Sequence, residues 1–236
     1  AERLKQRFEG DRTGACVLAA VVEGDRVARS RFCARDATPP SDVAAFEIGS
    51  VAKTMTAFLV ADLVEHRGWT LDDPIARRLP EGTRVPRHDG QEILVRHLVS
   101  HTAGLPPLPP GMVPKDVRNP YAGLTEAALL QALADTRLES APRSKASYSN
   151  FGMMLLSLAV ARAYGNDLEA AFRTRLFEPL GMREAAIRPR DGVVWPQGHT
   201  PDGRPVPAWT IAANLAGIRA RIAEACTPAA RPGGRA

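Results

Sequence analysis

An apolar run, residues 15–22, and a mixed stretch, residues 26–34, read as two strands around Glu23-Gly24-Asp25, and this pattern predicts a β-hairpin. Gly24-Asp25 suits a two-residue type II′ turn. In that register Val22 faces Val27, Ala20 faces Arg29 and Cys16 faces Cys33. Residues 1–9 pattern as a short amphipathic helix before the hairpin, and residues 41–48 as a linker with a short strand after it. At Gly49-Ser50 the period changes to that of a helix. Val51, Met55, Phe58, Leu59 and Leu63 follow helical spacing and Gly68 closes the pattern. Asp73-Pro74 predicts a further helix start, with an N-cap and a proline at the first helical position. Six prolines over residues 105–120 call for an extended loop. Residues 125–138 predict a helix capped by Thr125, with Leu129, Leu130 and Leu133 packing inward. Residues 152–164 and 168–177 predict two more, joined through Gly165-Asn166-Asp167.

Strands therefore precede a helix-rich stretch of residues 50–190. The expected class is α/β, an antiparallel sheet flanked by helices with a mainly helical lobe, in a single domain over residues 1–236. Past Asp191 the pattern gives way to Gly/Pro turns, and residues 227–236 have no core-forming face.

Composition narrows the function classes. With 44% hydrophobic and 24% charged residues and a mean hydropathy of −0.18, the chain is neither collagenous, disordered nor a disulfide scaffold. No apolar run is long enough to span a bilayer, so no transmembrane segment is expected. The net charge of +5 comes from 27 arginines and only four lysines, scattered along the chain. No basic run or stripe forms, so no nucleic-acid partner is expected. The chain starts without Met or an export-type leader, as expected of a processed or trimmed form.

The predicted hairpin register opposes Cys16 and Cys33, and directly opposed residues of an antiparallel pair lie close enough for a disulfide. Two small reduced residues are the alternative. A bridge would imply an oxidising compartment and leave Cys226 unpaired.

The candidate chemistry begins with the scarce lysine. Lys53 follows Ser50 by three residues at the start of the long helix, which puts both side chains on one face. A serine hydroxyl needs a base to become a nucleophile, and a lysine serves if burial lowers its pKa. The helix start adds backbone N–H groups and the positive end of the dipole. Taken alone, the pair fits a capping serine and a solvent-facing lysine equally well. Far downstream, Ser147-Tyr148-Ser149-Asn150 precedes an apolar helix. A tyrosine near a cation is a second proton-transfer group, and Asn150 offers a donor and an acceptor for a substrate amide. An N-cap asparagine beside a core-lining tyrosine is the plainer reading.

In combination these segments resemble the penicillin-recognising serine hydrolases, specifically the class C β-lactamase group with its D,D-peptidase and esterase relatives. Phe46-Glu47-Ile48-Gly49-Ser50-Val51-Ala52-Lys53-Thr54 is similar to the nucleophile motif. His97-Leu98-Val99-Ser100-His101-Thr102-Ala103-Gly104-Leu105-Pro106 is similar to the mid-chain signature. Tyr148-Ser149-Asn150 matches Y-x-N, and Phe177-Glu178-Pro179-Leu180-Gly181-Met182 matches a family helix ending. The resemblance implies that Ser50 attacks a carbonyl and is acylated, and that Lys53 and Tyr148 share the proton transfers. It leaves open which of the two is the base. Asn150 would bind the acyl-side amide, and the Ser50 N–H would give half of an oxyanion hole. The implied partner is a small molecule (a β-lactam, peptide or ester), no cofactor is expected, and the implied location is periplasmic or secreted. His97 and His101, spaced like a zinc-binding pair, are accounted for by the signature as structural residues of a turn beside the site. Trp195 and Trp209 are candidate cleft residues, with packing the plainer role.

The family's third motif, K-T-G or H-T-G on a sheet-edge strand, has no counterpart here. Gly198-His199-Thr200 runs into Pro201, which suits no ladder strand, and Arg12-Thr13-Gly14 begins the first strand. Residues 214–220 resemble the start of a family helix before the pattern dissolves. The expectation is therefore a C-terminally incomplete domain that lacks its last strands. A non-catalytic penicillin-binding fragment is then the rival to a working hydrolase.

Overall fold

The structure is a computed structural model, and it describes residues 2–8, 16–34, 39, 45–112, 121, 124–187, 198–199 and 205–206. Arg12-Thr13-Gly14, Trp195, Trp209, residues 214–220 and Cys226 lie outside the described residues, as do residues 41–44 of the 41–48 linker. The described residues divide into two compact units. One runs to Glu47 and includes two short strands near residue 200, and the other begins at Ile48 and holds the longer helices.

In the first unit, helix α1 (Glu2–Phe8) precedes strands β1 (Cys16–Glu23) and β2 (Arg26–Cys33). The antiparallel register pairs Val22 with Val27, Ala20 with Arg29 and Cys16 with Cys33, as the turn chemistry predicts. Gly24 takes φ +57°, and Asp25 stays out of the left-handed region, as a II′ turn requires. The disulfide between Cys16 and Cys33 is formed. Strands β3 (Gly198–His199) and β4 (Pro205–Val206) make a second antiparallel pair. Among the described residues each pair stands as a two-stranded sheet.

The second unit is organised around two helices. In α2 (Ala52–His66), Thr56, Leu59, Val60, Asp62 and Leu63 face inward. In α5 (Asn150–Ala163) the run Phe151–Gly152–Met153 and all of 155–161 are buried. Such a helix, apolar on every side, is the centre of a core rather than a surface element. Leu98 of α3 (Val95–Val99), Leu129 and Leu133 of α4 (Glu126–Ala134) and Phe172 of α6 (Leu168–Phe172) pack into the same cluster. Each fully buried Leu or Phe contributes on the order of 2 kcal/mol.

Four helix expectations are revised. Asp73-Pro74 does not open a full helix: Asp73 turns back to accept from the Thr70 N–H at 2.8 Å and to pair with Arg78, and Pro74 is extended. Only one 3₁₀ turn, Ile75–Arg77, follows. Thr125 does cap α4, accepting from the Ala128 N–H at 3.1 Å, but the helix stops at Ala134. Helix α5 starts at residue 150 because its cap is Ser149, which accepts from the Gly152 N–H at 2.9 Å. Helix α6 passes after Phe172 into a turn of π-helix, Arg173–Phe177. There Arg175 grips the buried carboxylate of Asp62, to which the Tyr164 hydroxyl also donates. That three-residue knot fixes α2 against the end of the helical run. It holds the Asp62 carboxyl below its usual range, because the Arg175 hydrogen bonds outweigh burial. Tyr164 is pushed up to about 12 by burial and by its bond to Asp62.

Candidate active site

Gly49, at φ +52°, turns the chain into a short 3₁₀ turn, Gly49–Val51, which leads into α2. That left-handed conformation favours glycine, and it places Ser50 exposed at the mouth of the helix. Lys53 lies nearly one helical turn on, and its Nζ donates to Ser50 Oγ at 3.0 Å. Tyr148 reaches the same oxygen from the other side, its hydroxyl 2.7 Å from Ser50 Oγ. Lys53 Nζ also lies over the Tyr148 ring, 4.9 Å from its centroid. The three candidate residues named from spacing thus meet at one oxygen.

The electrostatics make the Tyr148 phenol more acidic than usual. Burial pushes the Tyr148 phenol up, but hydrogen bonding with Lys53 and Ser50 and the Lys53 charge outweigh it and leave the phenol below its ordinary value. The side chain is half exposed, so a ligand can reach it.

A backbone template holds Tyr148 in place. His101, at φ +57°, accepts from the Ser147 N–H through its carbonyl at 2.8 Å and from the Ser149 N–H through Nδ1 at 3.2 Å. Its ring lies against Tyr148 with centroids 4.7 Å apart. Further carbonyls of the same loop take the next groups. Pro106 accepts from Ser149 Oγ at 2.7 Å and Pro107 from the Asn150 N–H at 2.9 Å. Asn150 is therefore the first residue of α5, not its cap, and its side chain lines the cavity beside Ser50 and Lys53.

His97 does not pair with His101 as a metal site. Its Nδ1 accepts from the Leu94 N–H at 3.1 Å and so caps its own helix. Both imidazoles lie below their ordinary value. For His97 the cause is burial and then the Arg96 and Arg143 charges, and for His101 it is burial and then Lys53. Among the described residues no cluster of three His, Cys, Asp or Glu side chains could hold a metal ion, and no helix is long and apolar enough to cross a membrane. Sequence spacing missed the loop carbonyls and the cavity along α5. Neither carries a residue-type signal.

A serine oxygen contacted by both a lysine Nζ and a tyrosine hydroxyl at a helix start is an arrangement suited to a nucleophilic serine. The chain belongs to the Beta-lactamase family, whose profile matches residues 2–234. It is 32% identical over 142 residues to the D-alanyl-D-alanine-carboxypeptidase/endopeptidase AmpH of Escherichia coli (strain K12), across 60% of this chain and 36% of that one. It is 33% identical over 155 residues to the esterase EstB of Burkholderia gladioli, across 60% and 38%. A β-lactamase/D-alanine carboxypeptidase structure from Yersinia pestis, complexed with citrate, superposes with a TM-score of 0.72 at 27% identity, covering 90% of this chain and 60% of that one. The aligned stretch thus spans little more than a third of the length of each of these two curated relatives. The fold is the mixed α/β fold of the β-lactamase/transpeptidase group, as expected from the motifs.

Proposed function

We propose that this chain acts as a serine hydrolase of the β-lactamase type, opening a β-lactam or a related amide or ester through an acyl-enzyme on Ser50. The observation that carries the reading is the double contact on Ser50 Oγ, 2.7 Å from the Tyr148 hydroxyl and 3.0 Å from Lys53 Nζ. In this reading Lys53 Nζ donates to the serine oxygen, and Tyr148, whose phenol is held below its ordinary value, accepts the serine proton. Oγ then attacks the substrate carbonyl carbon. The developing oxyanion meets the Ser50 N–H, which at the first turn has no acceptor one turn earlier in its own helix. The proton on Tyr148 passes to the leaving nitrogen or oxygen as its bond to the carbonyl breaks. Water, giving its proton to Tyr148, then attacks the ester, and Ser50 leaves with a proton. Asn150 orients the acyl-side amide. The Cys16–Cys33 disulfide supports a periplasmic or secreted location.

The test uses the purified chain and a Ser50→Ala control with a chromogenic cephalosporin, a short-chain aryl ester and a reporter penicillin. Turnover that vanishes in the control supports the hydrolase. Labelling of Ser50 without turnover indicates a penicillin-binding protein instead. A folded chain that neither turns over nor labels refutes the reading.

A further inference from the structure

The cavity beside Ser50 runs between α2 and α5 and has a volume of about 210 Å³. Asn150, Met153, Ser157 and Ala161 line it from α5, at positions i, i+3, i+7 and i+11 on one face of the helix. At 1.5 Å per residue this wall is about 16 Å long. Thr56 of α2 and Tyr121 face the same space. The Asn166 N–H donates to the Ala161 carbonyl at 2.7 Å, so Asn166 lines the cavity at the end away from Ser50.

Polar groups of this interior lack protein partners. Asn166 Oδ1 is buried without a hydrogen bond. Ser157, only 8% exposed, lies one turn before Ala161, and among the described residues its hydroxyl bonds to nothing. The Thr56 hydroxyl donates to the Ala52 carbonyl at 3.3 Å and keeps its oxygen free to accept. Buried polar groups are satisfied by protein or by ordered water, and a cavity holds water where it is roomy and offers two to four polar partners. A water takes about 30 Å³ of liquid, so this space admits several. Among the described residues no charged side chain lines it beyond Lys53, and an ion would be desolvated there without a partner. The occupant that the lining fits is small, neutral and able both to donate and to accept.

We propose that this cavity is a water store held by Ser157 and Asn166, and that it feeds the water that hydrolyses the acyl-enzyme on Ser50. The proposal rests on the hydrolase reading above. An acyl group on Ser50 covers the serine from the solvent side, while the cavity opens onto Ser50, Lys53 and Asn150 from within. The Tyr148 hydroxyl, 2.7 Å from Ser50 Oγ, is within reach of a water at that opening. In the step itself the water oxygen bonds to the acyl carbon and the water gives one proton to Tyr148. The bond from the acyl carbon to Ser50 Oγ then breaks, and Oγ takes that proton from Tyr148. Ser157 and Asn166 are positioning residues here, since they hold the water and do not touch the ester.

Two measurements on the full chain separate the store from the chemistry. Oxygen-17 relaxation dispersion of the solvent counts long-lived internal waters with no substrate present. Decay of the acetyl-enzyme formed from p-nitrophenyl acetate, followed by intact mass after rapid removal of free ester, reads the hydrolytic step, and the burst of nitrophenol reads acylation. Ser157→Leu removes the hydroxyl and fills the middle of the cavity. It should lose long-lived water and lengthen the acetyl-enzyme lifetime, relative to the acylation time, about tenfold. Asn166→Gly, which fits the left-handed backbone at φ +67°, should lengthen it about fivefold, the worth of one hydrogen bond. Ser157→Val is the second filling variant should Ser157→Leu fail to fold, with circular dichroism deciding that point. An unchanged water count in a folded filling variant, or an unchanged lifetime, overturns the store. Loss of water in a filling variant of a chain that forms no acetyl-enzyme upholds the hydration of the cavity and overturns the hydrolase reading.

Discussion

Ser50 Oγ and the Tyr148 hydroxyl lie 2.7 Å apart although 98 residues separate them in the chain. Neither residue is placed by the other. Ser50 is set by the left-handed Gly49 at the entrance to α2, and Tyr148 by the loop that carries His101. Lys53, donating to the shared oxygen and lying over the phenol ring, couples the two. The Lys53 contact makes the tyrosine easier to ionise, and the tyrosine ring gives Lys53 Nζ a face to lie over.

That coupling should be visible in a spectrophotometric titration of the three tyrosines. One phenol, Tyr148, should ionise below the usual value, while Tyr121 and Tyr164 titrate above it, Tyr164 near about 12. Tyr148→Phe should remove the low transition and slow Ser50 acylation by about a hundred- to ten-thousandfold. Lys53→Met should return the Tyr148 transition toward its ordinary value, because the hydrogen bond and charge that hold it down are gone. A low transition that survives Lys53→Met would contradict the assignment.

The two histidines predict an acid-side loss of stability. Their folded values lie below the ordinary imidazole value of about 6.5, so in that window the unfolded chain binds more protons than the folded one. Stability should therefore fall as pH drops below about 6.5 and level off once both folded values are passed. Protonating His101 would set its cation beside Lys53 and remove the acceptor for the Ser149 N–H. His101→Asn, a residue that tolerates the left-handed backbone, should flatten the dependence of the unfolding midpoint on pH. An equal slope in wild type and variant would exclude His101 as a source.

Gly104 tests the template directly. It takes φ +72°, and a Cβ there would sit 2.1 Å from the carbonyl oxygen of Ser140. Both the strain and the overlap involve backbone, so Gly104→Ala should destabilise by about 2 kcal/mol or more, measured by denaturant unfolding. Penicillin labelling of Ser50 should drop in the fraction that remains folded, because the loop on either side of Gly104 fixes Tyr148 and Asn150. Full labelling at unchanged stability would show that the loop adapts.

The Cys16–Cys33 bridge predicts an intact mass about 2 Da below the reduced chain under non-reducing conditions. Reduction, or Cys16→Ser, should free the hairpin ends at a cost of about 3 kcal/mol to that unit, with hydrogen exchange of β1 and β2 as the readout. Unchanged protection after reduction would mean that the strands hold without it.

Much of this architecture was legible in the chain. The hairpin register followed from one turn dipeptide, since Gly24-Asp25 leaves a single pairing and thereby opposes the cysteines. Helix α2 followed from its period, and the meeting of Ser50, Lys53 and Tyr148 from motif order. The misses share a physical origin, competition between local signals. Asp73 looked like a cap, but its carboxylate is taken by Thr70 and Arg78. Asn150 looked like a cap, but Ser149 beside it takes the bond. Pairing of Asp62 with Arg175, 113 residues away, depends on tertiary placement that no window of sequence contains. The cavity along α5 was hidden for a related reason: Met153, Ser157 and Ala161 fall within one predicted helix, and only the packing of α2 shows that space is left beside them.

The template of carbonyls at His101, Pro106 and Pro107 treats its client segment as main chain, apart from the Ser149 hydroxyl. The hydrogen bonds that deliver residues 148 and 150 to the serine therefore take no account of which side chains they carry, and the His101 ring against Tyr148 is the one side-chain contact added to them. A site built this way separates address from cargo. The side chains facing a ligand can be exchanged one at a time, by evolution or by an engineer, while their delivery to the nucleophile stays intact. A single scaffold can then be re-aimed at new carbonyl substrates without first relearning how to fold.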